Sequence, residues 1–137
     1  MRFRIKHILL ASTVSLGLSA QIATADIKAA QTALTNRDYQ TAMALAKASS
    51  VENPYDAALI MARSLIEIGQ PVEAQKFAEF AIDLVPNSFA GRILLATALR
   101  HQKKNLASEF QFRRALDVAD TDAERNIARK SMRAVEG

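Results

Sequence analysis

Cysteine is absent from the 137-residue sequence, proline occurs three times and glycine four. Without cysteine the chain has no disulfide, no thiolate metal site, no nucleophilic thiol and no lipid attachment at an N-terminal cysteine. Its stability has to come from packing alone. The few breakers (Gly17, Gly69, Gly91 and Gly137; Pro54, Pro71 and Pro86) leave few loops. Aromatic residues make up only 6% of the chain while apolar residues make up 50%, much of it alanine. That balance disfavours a β-sandwich, which draws on β-branched and aromatic side chains, and suits helices packed closely together. The length is that of one domain with room for a hydrophobic core.

The groups that chemistry requires are also missing. No glycine-rich loop is present to cradle phosphate. The two histidines lie far apart: His7 is in the N-terminal segment, and His101 stands alone at a helix end, where it reads as a solvated partner of the helix dipole. The carboxylates are scattered and none has metal-ligand spacing. Most have a basic neighbour one turn away, as Arg63 has for Glu67 and Lys76 for Glu73. No catalytic residue, metal or cofactor is expected, and the chain does not read as an enzyme.

The formal net charge of +4 is unevenly spread. Arg2, Arg4 and Lys6 account for three of the eighteen basic residues, which leaves fifteen against fourteen acidic ones from Asp26 onward. Residues 26–88 carry a net −3 and residues 89–137 a net +4. The chain is nearly neutral beyond its first segment but electrically polar from end to end.

The first 25 residues have the layout of an export signal. Three positive charges in Met1–His7 precede an uncharged apolar run, Ile8–Leu18, and Ala23-Thr24-Ala25 places small residues at −3 and −1 of a cleavage point before Asp26. That eleven-residue run falls short of the ~20 residues that span a bilayer. Arg2-Phe3-Arg4 is not a twin-arginine pair, which favours the general secretory route. The expectation is a bacterial periplasmic product of residues 26–137 with no transmembrane segment. An exported chain does not meet nucleic acid, so its basic excess is not read as a nucleic-acid interface.

From Asp26 on, apolar residues recur at helical spacing. Ala57 to Ile68 form one helix that stops at Gly69-Gln70-Pro71, and Ala74 to Leu84 form its partner, ending at Pro86-Asn87-Ser88. The pattern returns in Ile93–Leu99 and Leu106–Val118. Thr121-Asp122-Ala123-Glu124 is a capping box that opens a last helix. On it Ile127, Ala128, Met132 and Val135 share one face, while Arg125, Arg129, Lys130 and Arg133 cover the other. Self-similarity at this period marks a solenoid of helical hairpins, and a terminal helix with a polar outer face is the expected cap.

These residues resemble the tetratricopeptide repeat (TPR) family. In residues 55–88, Met61-Ala62, Leu65, Gly69, Ala74, Ala81 and Pro86 fall at its marker positions. In residues 89–122, Leu95-Ala96, Leu99, Phe112 and Ala115 are in register, while Lys103 stands for the turn glycine, Ser108 for a small alanine and Asp120 for the proline. Serine is still small enough for the helices to pack, so the departures bear on the turn and the exit of that hairpin. A weaker copy over 27–54 carries Ala29-Ala30, Ala33, Asp38-Tyr39, Ala42, Ser49 and Pro54. The resemblance implies an all-α solenoid of about three hairpins plus a capping helix over about 122–136. It also implies a concave face lined by the first helix of each hairpin. Carried over by position, that face comprises Gln31, Leu34, Asp56, Leu59, Arg63, Ile66, Glu67, Ile93, Thr97 and Arg100.

Apolar patches beside two arginines suit a peptide or helix that carries acidic groups. For Leu59, Ile66 and Ile93, packing between hairpins is an equally good reading. The expected function is a periplasmic, non-enzymatic adaptor or scaffold for a protein or peptide partner. Two other readings stand beside it. Glu109-Phe110-Gln111-Phe112-Arg113-Arg114-Ala115-Leu116 and the basic last helix also look like the periplasmic repeat domain of surface-lipoprotein-assembly outer-membrane proteins. Because no barrel strands follow before Gly137, that reading requires a truncated or split form. Alternatively, the basic C-terminal end docks electrostatically on an anionic membrane surface.

Overall fold

The computed structural model describes residues 26–136, and the expected export signal and its cleavage point lie outside them. All regular structure among the described residues is helical. Helix α1 covers residues 26–35. It is followed by α2 (Tyr39–Ala48), α3 (Pro54–Glu67), α4 (Pro71–Leu84), α5 (Phe89–His101), α6 (Asn105–Asp117) and α7 (Asp122–Glu136). Consecutive helices pack as antiparallel hairpins. In addition α3 touches α5 and α5 touches α7, whereas α2, α4 and α6 do not touch one another. The odd-numbered helices therefore converge on an inner layer and the even-numbered ones spread over an outer layer. This is the curved solenoid of hairpins that the repeat pattern implies.

Helix ends follow from local chemistry. Pro54 and Pro71 sit at the first helical position, where a missing N–H costs nothing. The Asp38 carboxylate accepts from the Thr41 amide at 3.3 Å, and the Ser88 hydroxyl from the Gly91 amide at 2.8 Å. The Tyr55 hydroxyl meets Ser88 Oγ at 2.7 Å, tying the start of one hairpin to the start of the next. The capping box forms as its sequence indicates: the Glu124 amide donates to Thr121 Oγ1 at 3.1 Å, and Glu124 Oε2 accepts from the Thr121 and Asp120 amides.

The three hairpin turns share one backbone design. At Arg37, Gly69 and Lys103 φ is 62°, 79° and 63°, the left-handed region. Each amide donates to the carbonyl three residues back, and the following amide (Asp38, Gln70, Lys104) to the carbonyl five back. That is a Schellman closure. Replacing the turn glycine thus leaves the geometry of the last hairpin unchanged, and Lys103 bears backbone strain instead.

Small side chains set the spacing between helices. Ala30, Ala42, Ala46, Ala62, Ala74, Ala78, Ala81, Ala96, Ala115 and Ala128 have no exposed surface, nor do Ser49 and Ser108. Ser108 Oγ donates to the Ala96 carbonyl at 2.7 Å across the α5–α6 contact, so its hydroxyl is satisfied where the repeat elsewhere carries alanine. Larger residues fill the remaining space in two clusters. One is built on Ile27, Ala33, Ala57 and Ile60, the other on Leu65, Ile66, Leu94, Leu95 and Leu99. Polar ties reinforce the stack. Arg92 donates to the Pro86 carbonyl at 2.8 Å and to Gln111, and burial, assisted by nearby Arg114 and opposed by Asp117, holds its guanidinium below the usual arginine range.

Three sequence expectations need correction. Glu73 and Lys76 do not pair; the ion pairs among the described residues are Arg63–Glu67, Arg113–Glu109, Arg114–Asp117 and Arg125–Asp122. Arg125 does not belong to the outer basic face, because it folds back onto Asp122 and the Ala119 carbonyl. Ile127 does not pack inward with Ala128 and Met132; it is 49% exposed. Arg129, Lys130 and Arg133 are exposed as expected. Lys130 and Arg133 take the repeat positions where Ala96 and Leu99 are buried in α5, so that face of α7 is charged where the face of α5 is apolar.

Lys103→Gly removes left-handed strain without touching a contact and should raise unfolding stability by about 0.5–1 kcal/mol. A Cβ added at Gly69 meets nothing within 4 Å, so Gly69→Ala should cost about 1 kcal/mol through the backbone alone. Urea unfolding of the two variants checks both signs.

Candidate functional site

The inner layer forms a trough, and its chemistry changes along its length. One end is a hollow of ≈ 430 Å³ between α1, α3, α5 and α7. Leu34, Leu59, Phe89, Ile93 and Ile127 make its floor and walls, with Gln31, Asp56 and Arg63 among them. The other end is a hollow of ≈ 360 Å³ toward the hairpin turns, where Arg63, Glu67, Thr97, Arg100 and His101 supply polar groups beside Ile66 and Ile93. Arg63, Ile93 and Leu94 line both hollows, so the trough is continuous.

The repeat period explains why these residues assemble. Leu59, Ile93 and Ile127 are 34 residues apart, as are Arg63 and Thr97, Ile66 and Arg100, and Glu67 and His101. Stacked hairpins turn equal spacing in sequence into a column in space. The charges of the trough are partly balanced within it. Arg63 Nε donates to Glu67 Oε1 at 2.9 Å along one helix face, an exposed pair of small energetic value. Arg100 forms no ion pair among the described residues; its guanidinium lies over the Phe112 ring, 5.8 Å from the centroid. Thr97 Oγ1 turns back to the Ile93 carbonyl at 2.8 Å. Among the described residues no three acidic or histidine side chains converge to hold a metal ion.

All ten residues taken from the sequence pattern line the trough. Ile66 does so only marginally, being 7% exposed and part of the core. Leu59 packs on that core and is only partly buried, and Ile93 is partly buried as well. Beyond the buried Ile60 and Leu94, which also border the hollows, the pattern overlooked Phe89, Ala90, His101 and Ile127. Three of them were within its reach: Ala90 lies 34 residues after Asp56, His101 34 after Glu67, and Ile127 34 after Ile93. Treating the last helix purely as a cap hid Ile127.

The described fold matches solved TPR domains. One is the first TPR domain of the human RPAP3 protein, determined by NMR, with TM-score 0.75 and 14% identity over 84% of this chain and 90% of that one. Its fold is that of a tetratricopeptide-repeat domain. A second match is the first TPR of Spaghetti (RPAP3) bound to the HSP90 peptide SRMEEVD. There the TM-score is 0.74 and the identity 14%, over 85% of this chain and 91% of that one. No family model matches the sequence, and no curated protein matches it. The likeness is thus one of architecture.

Core and trough positions should separate energetically. Ile66→Ala should cost about 2–4 kcal/mol of unfolding free energy. Gln31→Ala and Arg63→Ala should each stay within about 0.5 kcal/mol of wild type. Parallel denaturant titrations measure the difference.

Proposed function

We propose that the chain is an exported, non-enzymatic adaptor that holds an acidic peptide or partner segment in its inner trough. The observation that carries this reading is the gradient along the trough, with an apolar hollow at one end and Arg100, without a carboxylate partner among the described residues, at the other. An amphipathic segment would bury apolar side chains against Leu59, Phe89, Ile93 and Ile127 and present carboxylates to Arg100 and Arg63. The peptide held by the Spaghetti TPR domain, SRMEEVD, supports a role in peptide capture for this architecture. Binding here would exchange the Arg63–Glu67 pair for one with the ligand, which costs little because that pair is exposed.

The setting of that capture rests on the sequence. The charged, apolar and small-residue regions of residues 1–25 support passage through the secretory route and a periplasmic location. No helix among the described residues is long and apolar enough to cross a membrane.

Arg63→Glu with Arg100→Glu should weaken capture of the partner by about tenfold or more while leaving the helical content unchanged, since reversed charge repels an acidic ligand. Crosslinking pull-down from a cell-envelope fraction reads the outcome, and undiminished capture by the double variant refutes the trough as the binding site. Expressed in a secreting bacterium, the periplasmic protein should begin at Asp26; an intact Met1 on the accumulated product counts against export by cleavage.

A further inference from the structure

The outer layer carries a second feature, independent of the trough. Two of its helices turn apolar side chains to the outside. On α4 these are Val72, Phe80 and Leu84, 51%, 47% and 42% exposed; on α6 they are Leu106 and Phe110, 86% and 58% exposed. The charges among them are opposite. The exposed side of α4 has Glu73, Glu79 and Asp83 against one lysine, Lys76. Around the exposed side of α6 stand Lys103, Lys104, Arg113 and Arg114, against Asp117 and the half-buried Glu109. Beside Phe80 an apolar hollow of ≈ 360 Å³ opens between α2, α3 and α4, walled by Ala46, Pro54, Ala58, Met61 and Phe77.

We propose that this outer face is a two-fold dimer interface, with α4 of one copy lying against α6 of a second and the reverse contact repeating it. An interface between identical chains about a two-fold axis must be self-complementary, and an acidic-apolar helix beside an apolar helix that carries Arg113 and Arg114 and is entered from the basic turn Lys103-Lys104 satisfies that condition. An axis running along the helices between α4 and α6 lays the two partners side by side in the same direction, so that like repeat positions meet. Val72 then faces Leu106, Glu79 faces Arg113 and Phe80 faces Arg114, pairing apolar with apolar, acid with base and ring with guanidinium, against one like-charged pair, Asp83 with Asp117. The hollow beside Phe80 offers a seat for an apolar side chain of the facing α6. An anionic lipid surface would suit α6 alone. It would be repelled by Glu73, Glu79 and Asp83 and would leave the exposed apolar residues of α4 without a role.

The test uses two charge-reversed forms of the purified chain, Arg113→Glu and Glu79→Arg, followed by sedimentation velocity. Wild type is expected to be dimeric at micromolar concentration. Each reversed form alone should associate about tenfold or more weakly, because both of its contacts then join like charges. Mixed together, the two forms should recover a dimer, since each contact again joins opposite charges; that recovery also shows both to be folded. A monomeric wild type, reversed forms that dimerise as well as wild type, or a mixture that stays monomeric overturns the proposal. Binding of a monomeric wild type to phosphatidylglycerol vesicles overturns it as well and assigns α6 to a membrane.

Discussion

Close approach of helices at alanine and serine is the constraint on which the rest of this structure depends. Ala62, Ala74, Ala96 and Ala115 have no exposed surface, so a larger side chain at any of them has to displace its neighbours. Short contacts of this kind let each hairpin close tightly with little aromatic bulk, and among the described residues Phe112 is the one large side chain that is fully buried. They also fix the helix spacing within each hairpin and between hairpins, and so the curvature of the stack. With no cysteine in the sequence, no disulfide supplies that geometry.

The trough follows from the same constraint. Since the tight contacts are made by the alanine faces of α3 and α5, their remaining faces are spared for a second purpose. Leu59 rests on the core, Leu59 and Ile93 are both only partly buried, and Ile127 continues their column onto the last helix. α7 therefore has three faces with three environments. Ala128 packs on the stack, Ile127 completes the trough, and Lys130 with Arg133 meets solvent where another hairpin would otherwise dock. The outer layer shows the converse division: α4 and α6 bury small residues inward and turn Val72, Phe80, Leu106 and Phe110 outward.

Much of this was legible because repeat architecture writes spatial neighbours at fixed sequence intervals. The small positions, the turn at Gly69, the capping box at Thr121 and the trough column through Leu59 and Ile93 can all be read by counting. What escaped counting depended on local energetics. A left-handed turn at Lys103 has no sequence mark, because the strain is borne by the backbone while the hydrogen bonds are kept. Ile66 and Leu59 look alike in sequence, yet one is core and the other only partly buried, since burial depends on the angle between neighbouring helices. Lys76 and Glu73 have pairing distance in sequence but no ion pair in the structure, as is common for flexible side chains on an exposed helix.

The most direct measurement of the central claim is the unfolding free energy of Ala62→Leu, set beside Ala29→Leu on the exposed side of α1. If close approach governs the stack, Ala62→Leu loses about 1–3 kcal/mol or more while Ala29→Leu stays within about 0.5 kcal/mol of wild type. Equal stability of the two variants would contradict it.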